Sequence, residues 1–350
     1  MTQSNKITNS RMKTEKARLA ADAEVSTPWA SRLEKLSLGE TRRVRGLTLY
    51  PLLGEQEGTL DYQTLDDALM AGVLTIGEIG ASGTVPELEL KNAGTRRVLI
   101  VDGEELIGAK QNRIVNTSVL VEAGAKLMLP VSCVETGRWH ADTLAFRSEG
   151  THYNARGRQQ KVGEVTAALA AEGRPRANQG RIWADVDAKL SHFAIGSETR
   201  ALHAVTETLG ADLAQFAELL GTPGAREVGA VFALGREIVG LDLFDQAATQ
   251  AALLPKLVKS YALDAIEERP SAAPPPPVVV SQWLETLQTA TGAASRGVGL
   301  GEDIRLSGPG VSGAALVFQG AMVHLSVFRS APPASSVTTG MARASVRRRQ

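Results

Sequence analysis

The stretch VDGEELIGAKQNRIVNTSV crowds Asp102, Glu104, Glu105, Lys110, Gln111, Asn112, Arg113 and Asn116 into a run that otherwise reads as strand. Strands ordinarily avoid Asp, Asn and Lys, so this density marks the first place to look for chemistry. Lys110, Arg113 and, further on, Arg138 are suited to neutralising a phosphate-bearing ligand through charge-assisted hydrogen bonds. The amides of Gln111 and Asn112 can bond the polar edges of such a ligand, and the ring of Trp139 can stack on a base. Asp102, Glu104 or Glu105 can bind ribose hydroxyls or act as a general acid or base, with Glu104 and Glu105 the catalytic candidates. Strict alternation puts Lys110 and Asn112 on one face and Gln111 and Arg113 on the other, so the group acts together only if a bulge or twist reorients one side.

Glu135, Arg138, Trp139 and His140 form a second polar and aromatic group at a change from sheet to helix, where pockets form between layers. Both groups have plainer readings. Charges on strand edges deter aggregation, Asp and Asn make turns, and a tryptophan anchors packing. Cys133 is the sole cysteine and lies in the apolar run LMLPVSCV, whereas a nucleophilic cysteine needs an electropositive, accessible setting. GREIVGLDLFD offers Arg236, Asp242 and Asp245, read either as acidic groups that bind a metal or activate water, or as a hairpin turn and an Asp helix cap. GVGLGEDIRLSGPG lacks both the dinucleotide fingerprint and the phosphate-loop lysine, and reads as loop and turn.

The elements that must hold these residues follow from periodicity. VRGLTLYPLL opens as a strand that Pro51 should end. TLDDALMAG reads as a short helix, capped by Thr64 with Asp67 and stopped at Gly72. VLTIGEI, TVPELELKN, RRVLIVDG, EELIGA, NRIVNTSVLV and KLMLPVSCV then read as strands joined by short turns, which implies antiparallel neighbours. Beyond Trp139, KVGEVTAALAAEG, RIWADVDAKLSHF, TRALHAVTETL and ADLAQFAELL carry helical spacing, with Trp183, Val186 and Leu190 on one face. REVGAVFALGREIVGLDLF reads as a hairpin turning at Gly235-Arg236, AATQAALLPKLVKSYALDAI as a long helix containing Pro255, and VVVSQWLETLQTA as a helix after the connector SAAPPPP. GAALVFQG and AMVHLSVF form strands meeting at Gly320.

The expected fold class is therefore α+β, with an antiparallel β-meander or sandwich in the N-terminal half and helices plus a few strands in the C-terminal half. Residues 1–40 read as a mobile arm, 41–140 as a β-rich region, 141–328 as a helical region with short hairpins that can form one compact domain with 41–140, and 329–350 as a basic disordered tail. Hydrophobic content of 43% beside 22% charged residues excludes a disordered chain. Lys plus Arg equals Asp plus Glu at 38 each, so no global field attracts nucleic acid or a membrane, and nucleic acid is left only weak contact with the tail arginines Arg347, Arg348 and Arg349. No run approaches the roughly 18 apolar residues that span a bilayer, and the expected location is cytoplasmic. One cysteine and five scattered histidines argue against a protein-built metal site, and no cofactor is expected.

DGEELIGAKQNRIVNTSVLV and LPVSCVETGRW, with GREIVGLDLF and HLSVF, resemble the ADP-ribosylglycohydrolase and rhodanese-phosphatase-superfamily-associated protein domain, or ARPP domain, over residues 40–328. The resemblance implies a place in nucleotide-derivative metabolism or conflict systems and carries over no catalytic residues. The expected function is a binding module for a phosphate-bearing nucleotide derivative such as ADP-ribose. The expected ligand-binding residues are Asp102, Lys110, Gln111, Asn112, Arg113, Glu135, Arg138 and Trp139. Two alternatives stand beside it, a hydrolase using Glu104 or Glu105 and a scaffold whose helical half binds a partner protein. Whether the chain is an enzyme stays open.

Overall fold

The structure is a computed structural model that describes residues 28–330 other than 81, 82, 141, 142, 144, 220 and 222. Most of the expected arm and nearly all of the expected basic tail lie outside the described residues. The chain enters through α1 (Pro28–Glu34), then β1 (Ser37–Leu38), β2 (Arg42–Val44) and β3 (Leu47–Leu53). Pro51 sits inside β3 rather than ending it. Its missing N–H is tolerated there while its carbonyl accepts the Gly39 N–H at 2.8 Å.

Next come β4 (Tyr62–Thr64) and α2 (Leu65–Met70), the latter opened by the expected capping box of Thr64 and Asp67. The strands that follow are β5 (Leu74–Gly77), β6 (Glu87–Asn92), β7 (Arg97–Ile100), β8 (Glu105–Gly108), β9 (Arg113–Val115), β10 (Val119–Val121), β11 (Lys126–Cys133) and β12 (Phe146–Arg147). They form a six-stranded sheet in the order β12-β8-β9-β11-β6-β5 and a three-stranded sheet in the order β10-β7-β4. Ile76, Leu88, Leu90 and Leu129 of the first pack with Val98, Ile100, Val119 and Val121 of the second in one core. This is a sandwich rather than a simple meander. The pairing of β4 with β7 is parallel, because α2, β5 and β6 intervene as a crossover. NRIVNTSVLV, read as one strand, is broken at Asn116–Ser118 and contributes β9 to one sheet and β10 to the other.

Four helices follow: α3 (Ala155–Glu172), α4 (Gln179–His192), α5 (Leu202–Thr208) and α6 (Gly210–Gln215). On α4 the buried stripe is Ile182, Val186 and Leu190, with Trp183 turned partly outward. Ile182 meets the i, i+4, i+8 spacing that Trp183 misses by one residue.

The hairpin turning at Gly235-Arg236 is β13 (Glu227–Leu234) with β14 (Glu237–Phe244). It leads into α7 (Ala247–Glu268), which contains Pro255, and α8 (Pro277–Gln288). The last strands are β15 (Thr291–Arg296), β16 (Glu302–Gly308), β17 (Val311–Phe318) and β18 (Ala321–Arg329). They join a nine-stranded sheet in the order β1-β3-β13-β14-β18-β17-β16-β15, with β2 also on β3. One face carries α1 and α8 through Trp29, Leu33, Trp283 and Leu287, and the other carries α3 and α7 through Val162, Leu253, Leu257 and Tyr261. Because both faces are covered, β13 and β14 are buried nearly end to end and read as continuous apolar runs. The stretch expected as loop contains β16. Ile304 and Leu306 alternate inward there, but the intervening charges of Asp303 and Arg305 hide the period. The architecture is α+β, strand-rich in the N-terminal half.

Candidate functional site

The site begins at a backbone feature. Between β8 and β9 the chain turns over residues 109–112, with Gly108 at φ 123° and Ala109 at φ 44°. The left-handed Ala109 breaks the alternation on which the two-face expectation rested. As a result Lys110 and Arg113, expected on opposite faces, converge on one ring. The Lys110 Nζ lies 5.4 Å and the Arg113 guanidinium carbon 5.7 Å from the centroid of Trp139. Trp139 is 46% exposed, whereas Arg113 beneath it is fully buried. Arg113 Nη1 donates to the Gln111 carbonyl at 3.1 Å and to Gln111 Oε1 at 3.3 Å, and its Nη2 lies 3.5 Å from Glu78 Oε1. Its Nε and Nη2 have no hydrogen-bond partner among the described residues, and burial lowers its pKa against the pull of nearby Cys133 and Glu78.

Cys133 faces Arg113 across the β9–β11 ladder. Burial pushes its thiol up to about 11, with Arg113 opposing, so the nearby cation does not make it a thiolate at neutral pH.

The opposite side of the turn is a separate construction. Arg138 forks onto Glu135, Nε to Oε1 at 3.0 Å and Nη2 to Oε2 at 2.7 Å. It also donates to the carbonyls of Ala109 and His140. The Asn112 N–H donates to Glu135 Oε2 at 2.8 Å. Burial pushes the Glu135 carboxyl up, but the bonds from Arg138, Thr199 and Asn112 outweigh it and hold the group below its usual range. These residues floor a cleft of about 310 Å³ lined further by Arg147, His203 and Glu207. Glu149 joins two of the walls, lying 2.7 Å from Arg147 Nη2 and 3.2 Å from His203 Nε2.

The three acidic candidates go to three different places. Asp102 bonds Lys161 of α3, and Glu104 bonds Lys256 of α7 at 2.6 Å and the Val101 N–H at 2.7 Å. Both are tied to cations instead of joining the Trp139 face. Glu105 is fully buried on the same side of β8 as Ile107, a cleft residue, and neither of its carboxyl oxygens has a hydrogen-bond partner among the described residues. Burial pushes its carboxyl up to about 7, Glu149 and Glu135 add to the push, and the Thr151 hydroxyl opposes it. Burial raises the Glu104 carboxyl as well, against the pull of Lys256, whereas Glu105 has no hydrogen bond from a cation among the described residues.

Sequence reasoning missed a buried polar network around Asp242. Asp242 receives Arg158 through Nη2 at 2.6 Å and Nη1 at 3.1 Å, lies 3.3 Å from His324 Nε2, and accepts from the Tyr261 hydroxyl at 3.2 Å. His324 Nδ1 lies 2.7 Å from Ser118 Oγ, which accepts the Asp102 N–H at 3.0 Å. Burial pushes Asp242 up, yet Arg158 and His324 overcome it and hold the carboxyl well below its usual range. An ionised Asp242 requires a proton on Nε2, so in the neutral ring Nδ1 accepts from Ser118. The array links the β9–β10 break to the large sheet and α3, and no spacing in the sequence signals residues 206 positions apart. Asp245, paired with Asp242 in the sequence reading, instead accepts from Tyr62 and does not cap α7, whose first turn follows Gln246. Among the described residues no group of three or more His, Cys, Asp or Glu side chains is placed to hold a metal.

Residues 35–328 match the family model described as the ARG and Rhodanese-Phosphatase-superfamily-associated Protein domain, ARPP-1. No curated protein and no solved structure matches the chain. Among the described residues no helix is long and apolar enough to cross a membrane.

Proposed function

The chain belongs to the family of ARG and Rhodanese-Phosphatase-superfamily-associated Protein domains, and on that footing we propose that it is a cytoplasmic binding module for a phosphate-bearing nucleotide derivative, held at the Trp139 face. The observation that carries this reading is Arg113. A fully buried guanidinium whose Nε and Nη2 meet no hydrogen-bond partner among the described residues, Nη2 having only the Glu78 carboxylate at 3.5 Å, is costly unless something completes it. A phosphate oxygen is a fitting acceptor, since guanidinium groups bind phosphate through paired donors.

Two further features support the class of ligand. Lys110 stands over the same ring and adds a second positive charge. Trp139 offers an exposed aromatic face, and stacking on such a face suits a nucleobase regardless of its identity. Because Trp139 covers Arg113, the ring must shift for phosphate to reach the guanidinium, so binding couples base stacking to phosphate contact.

The test is a thermal-shift screen of the full chain against ADP-ribose, NAD, mononucleotides and cyclic nucleotides, because a ligand selective for the folded state raises its stability. A reproducible, concentration-dependent upward shift that Trp139→Ala removes is expected. No shift with any compound, from protein that melts cooperatively, rejects the proposal and leaves the partner-binding scaffold as the leading reading.

A further inference from the structure

We infer that the cleft on the far side of the 109–112 turn receives a neutral sugar with neighbouring hydroxyls, so that the ligand is a nucleotide carrying a second sugar beyond its phosphates. This inference deepens the proposed function and rests on it. The cleft differs from the Trp139 face first in charge. Its two guanidinium groups, Arg138 and Arg147, are each already bonded to a carboxylate, Glu135 and Glu149. Glu207 adds a third carboxylate to the wall, so acidic groups outnumber arginines and a phosphate gains nothing there.

The second observation is Asn112. It is 4% exposed, and its Oδ1 accepts both the Gly108 N–H at 3.1 Å and Arg138 Nη2 at 3.3 Å. Those two donors fix which end of the amide is oxygen. Its Nδ2 therefore presents N–H donors on a residue that lines the cleft, and they meet no acceptor among the described residues. Glu207, exposed on α5, supplies an acceptor on the same cleft. Planar amide and carboxylate groups set around one small space match vicinal hydroxyls, each of which donates one hydrogen bond and accepts others. At about 310 Å³ the cleft stands at the small end of ligand pockets, which run from roughly 300 to 1,000 Å³.

The third observation is continuity. Asn112 and Arg113 are successive residues, one lining the cleft and the other beneath Trp139; Arg138 and Trp139 repeat the arrangement on the facing segment. Consecutive Cα atoms are about 3.8 Å apart, so one ligand can occupy both sides, with its phosphates over the turn and its sugars at either end.

Equilibrium titration calorimetry of the full chain with AMP, ADP and ADP-ribose tests this, using the native chain and Glu207→Ala, which removes the cleft acceptor at an exposed helix position away from the Trp139 face. ADP-ribose is expected to bind at least about tenfold more tightly than ADP, as a few added hydrogen bonds allow. Glu207→Ala is expected to bring ADP-ribose toward the affinity of ADP while leaving ADP itself unchanged. Equal affinity for ADP and ADP-ribose in the native chain, or a Glu207→Ala variant that binds ADP-ribose as the native chain does or weakens both ligands alike, overturns the sugar subsite and leaves the phosphate site standing. Binding of none of the three overturns both.

Discussion

Arg113 lies under Trp139, its guanidinium carbon 5.7 Å from the ring centroid, and the Lys110 ammonium group sits 5.4 Å from the same point. Two like charges share one aromatic ring, and the Glu78 carboxylate lies 3.5 Å from the Arg113 Nη2. Each cation gains about 0.5–2 kcal/mol from the ring, which offsets part of their mutual repulsion without cancelling the charge. An anion entering this face relieves that repulsion and supplies the acceptors Arg113 lacks.

Replacing Arg113 by Met should therefore separate binding from folding. Met fills most of the buried volume and removes the uncompensated donors, so the melting temperature should hold or rise slightly, whereas Arg113→Ala leaves a cavity and should lower it. Nucleotide affinity should fall about 100-fold in Arg113→Met, in line with the roughly 1.5–3 kcal/mol of a charged hydrogen bond. Calorimetric titration of that variant reads the effect, and unchanged affinity removes Arg113 from the site.

Glu105 should give stability a distinctive pH dependence. Its folded pKa of about 7 lies above the ordinary 4.5, so between these values the folded state holds more protons than the unfolded state. Stability from this group consequently falls as pH rises through that window, by roughly 3 kcal/mol once pH exceeds 7. Glu105→Gln should flatten the fall and make the protein more stable than native at pH 8. Urea unfolding at pH 5, 6, 7 and 8 measures it, and parallel curves for the two proteins exclude the buried, unpartnered carboxyl.

Much of this architecture is legible in the amino-acid sequence because local signals govern it. The Thr64–Asp67 box, the Gly235-Arg236 hairpin, Pro255 in a long helix and the Gly320 turn all follow from a few adjacent residues. The polar richness of residues 102–116 also marks the stretch that places Lys110 and Arg113 beside Trp139 and Asn112 in the cleft wall. What stays hidden depends on one backbone angle or on distant partners. Lys110 joins Arg113 only because Ala109 is left-handed, a conformation its residue type does not announce. Glu104 and Asp102 look available in sequence because Lys256 and Lys161, which bind them, stand 152 and 59 residues away. The same distance effect conceals Ser118, His324 and Asp242.

That hidden network should dominate stability. Asp242 is fully buried and its charge is balanced by Arg158 through two hydrogen bonds. Arg158→Met strands the carboxylate and should cost about 3–5 kcal/mol, the usual result of removing one partner of a buried pair. Combining it with Asp242→Asn should recover at least half, because the remaining amide carries no charge. A double-mutant cycle of chemical denaturation reads the coupling, and strictly additive losses contradict the pairing.

Two glycines of α3 make opposite predictions from the same substitution. Glycine in a helix interior is destabilising by roughly 0.5–1 kcal/mol relative to alanine, so Gly→Ala ordinarily helps. At Gly163 an added Cβ meets nothing within 4 Å and the position is exposed, and Gly163→Ala should raise stability by that amount. At Gly157 the same methyl would lie 2.4 Å from both Cε1 and Cζ of Tyr153. Tyr153 cannot yield readily, since its ring is buried and its hydroxyl donates to Asp185 at 2.9 Å, an anchor that ties the start of α3 to α4. Gly157→Ala should therefore destabilise by about 1–3 kcal/mol, the range for overpacking a filled core. Adding Tyr153→Leu, which withdraws the ring, should bring the Gly157→Ala penalty close to zero. Thermal unfolding of the native protein, the three single variants and the Gly157→Ala/Tyr153→Leu double variant decides the matter, and a stabilising Gly157→Ala in the native background means that the ring does not stand against the helix.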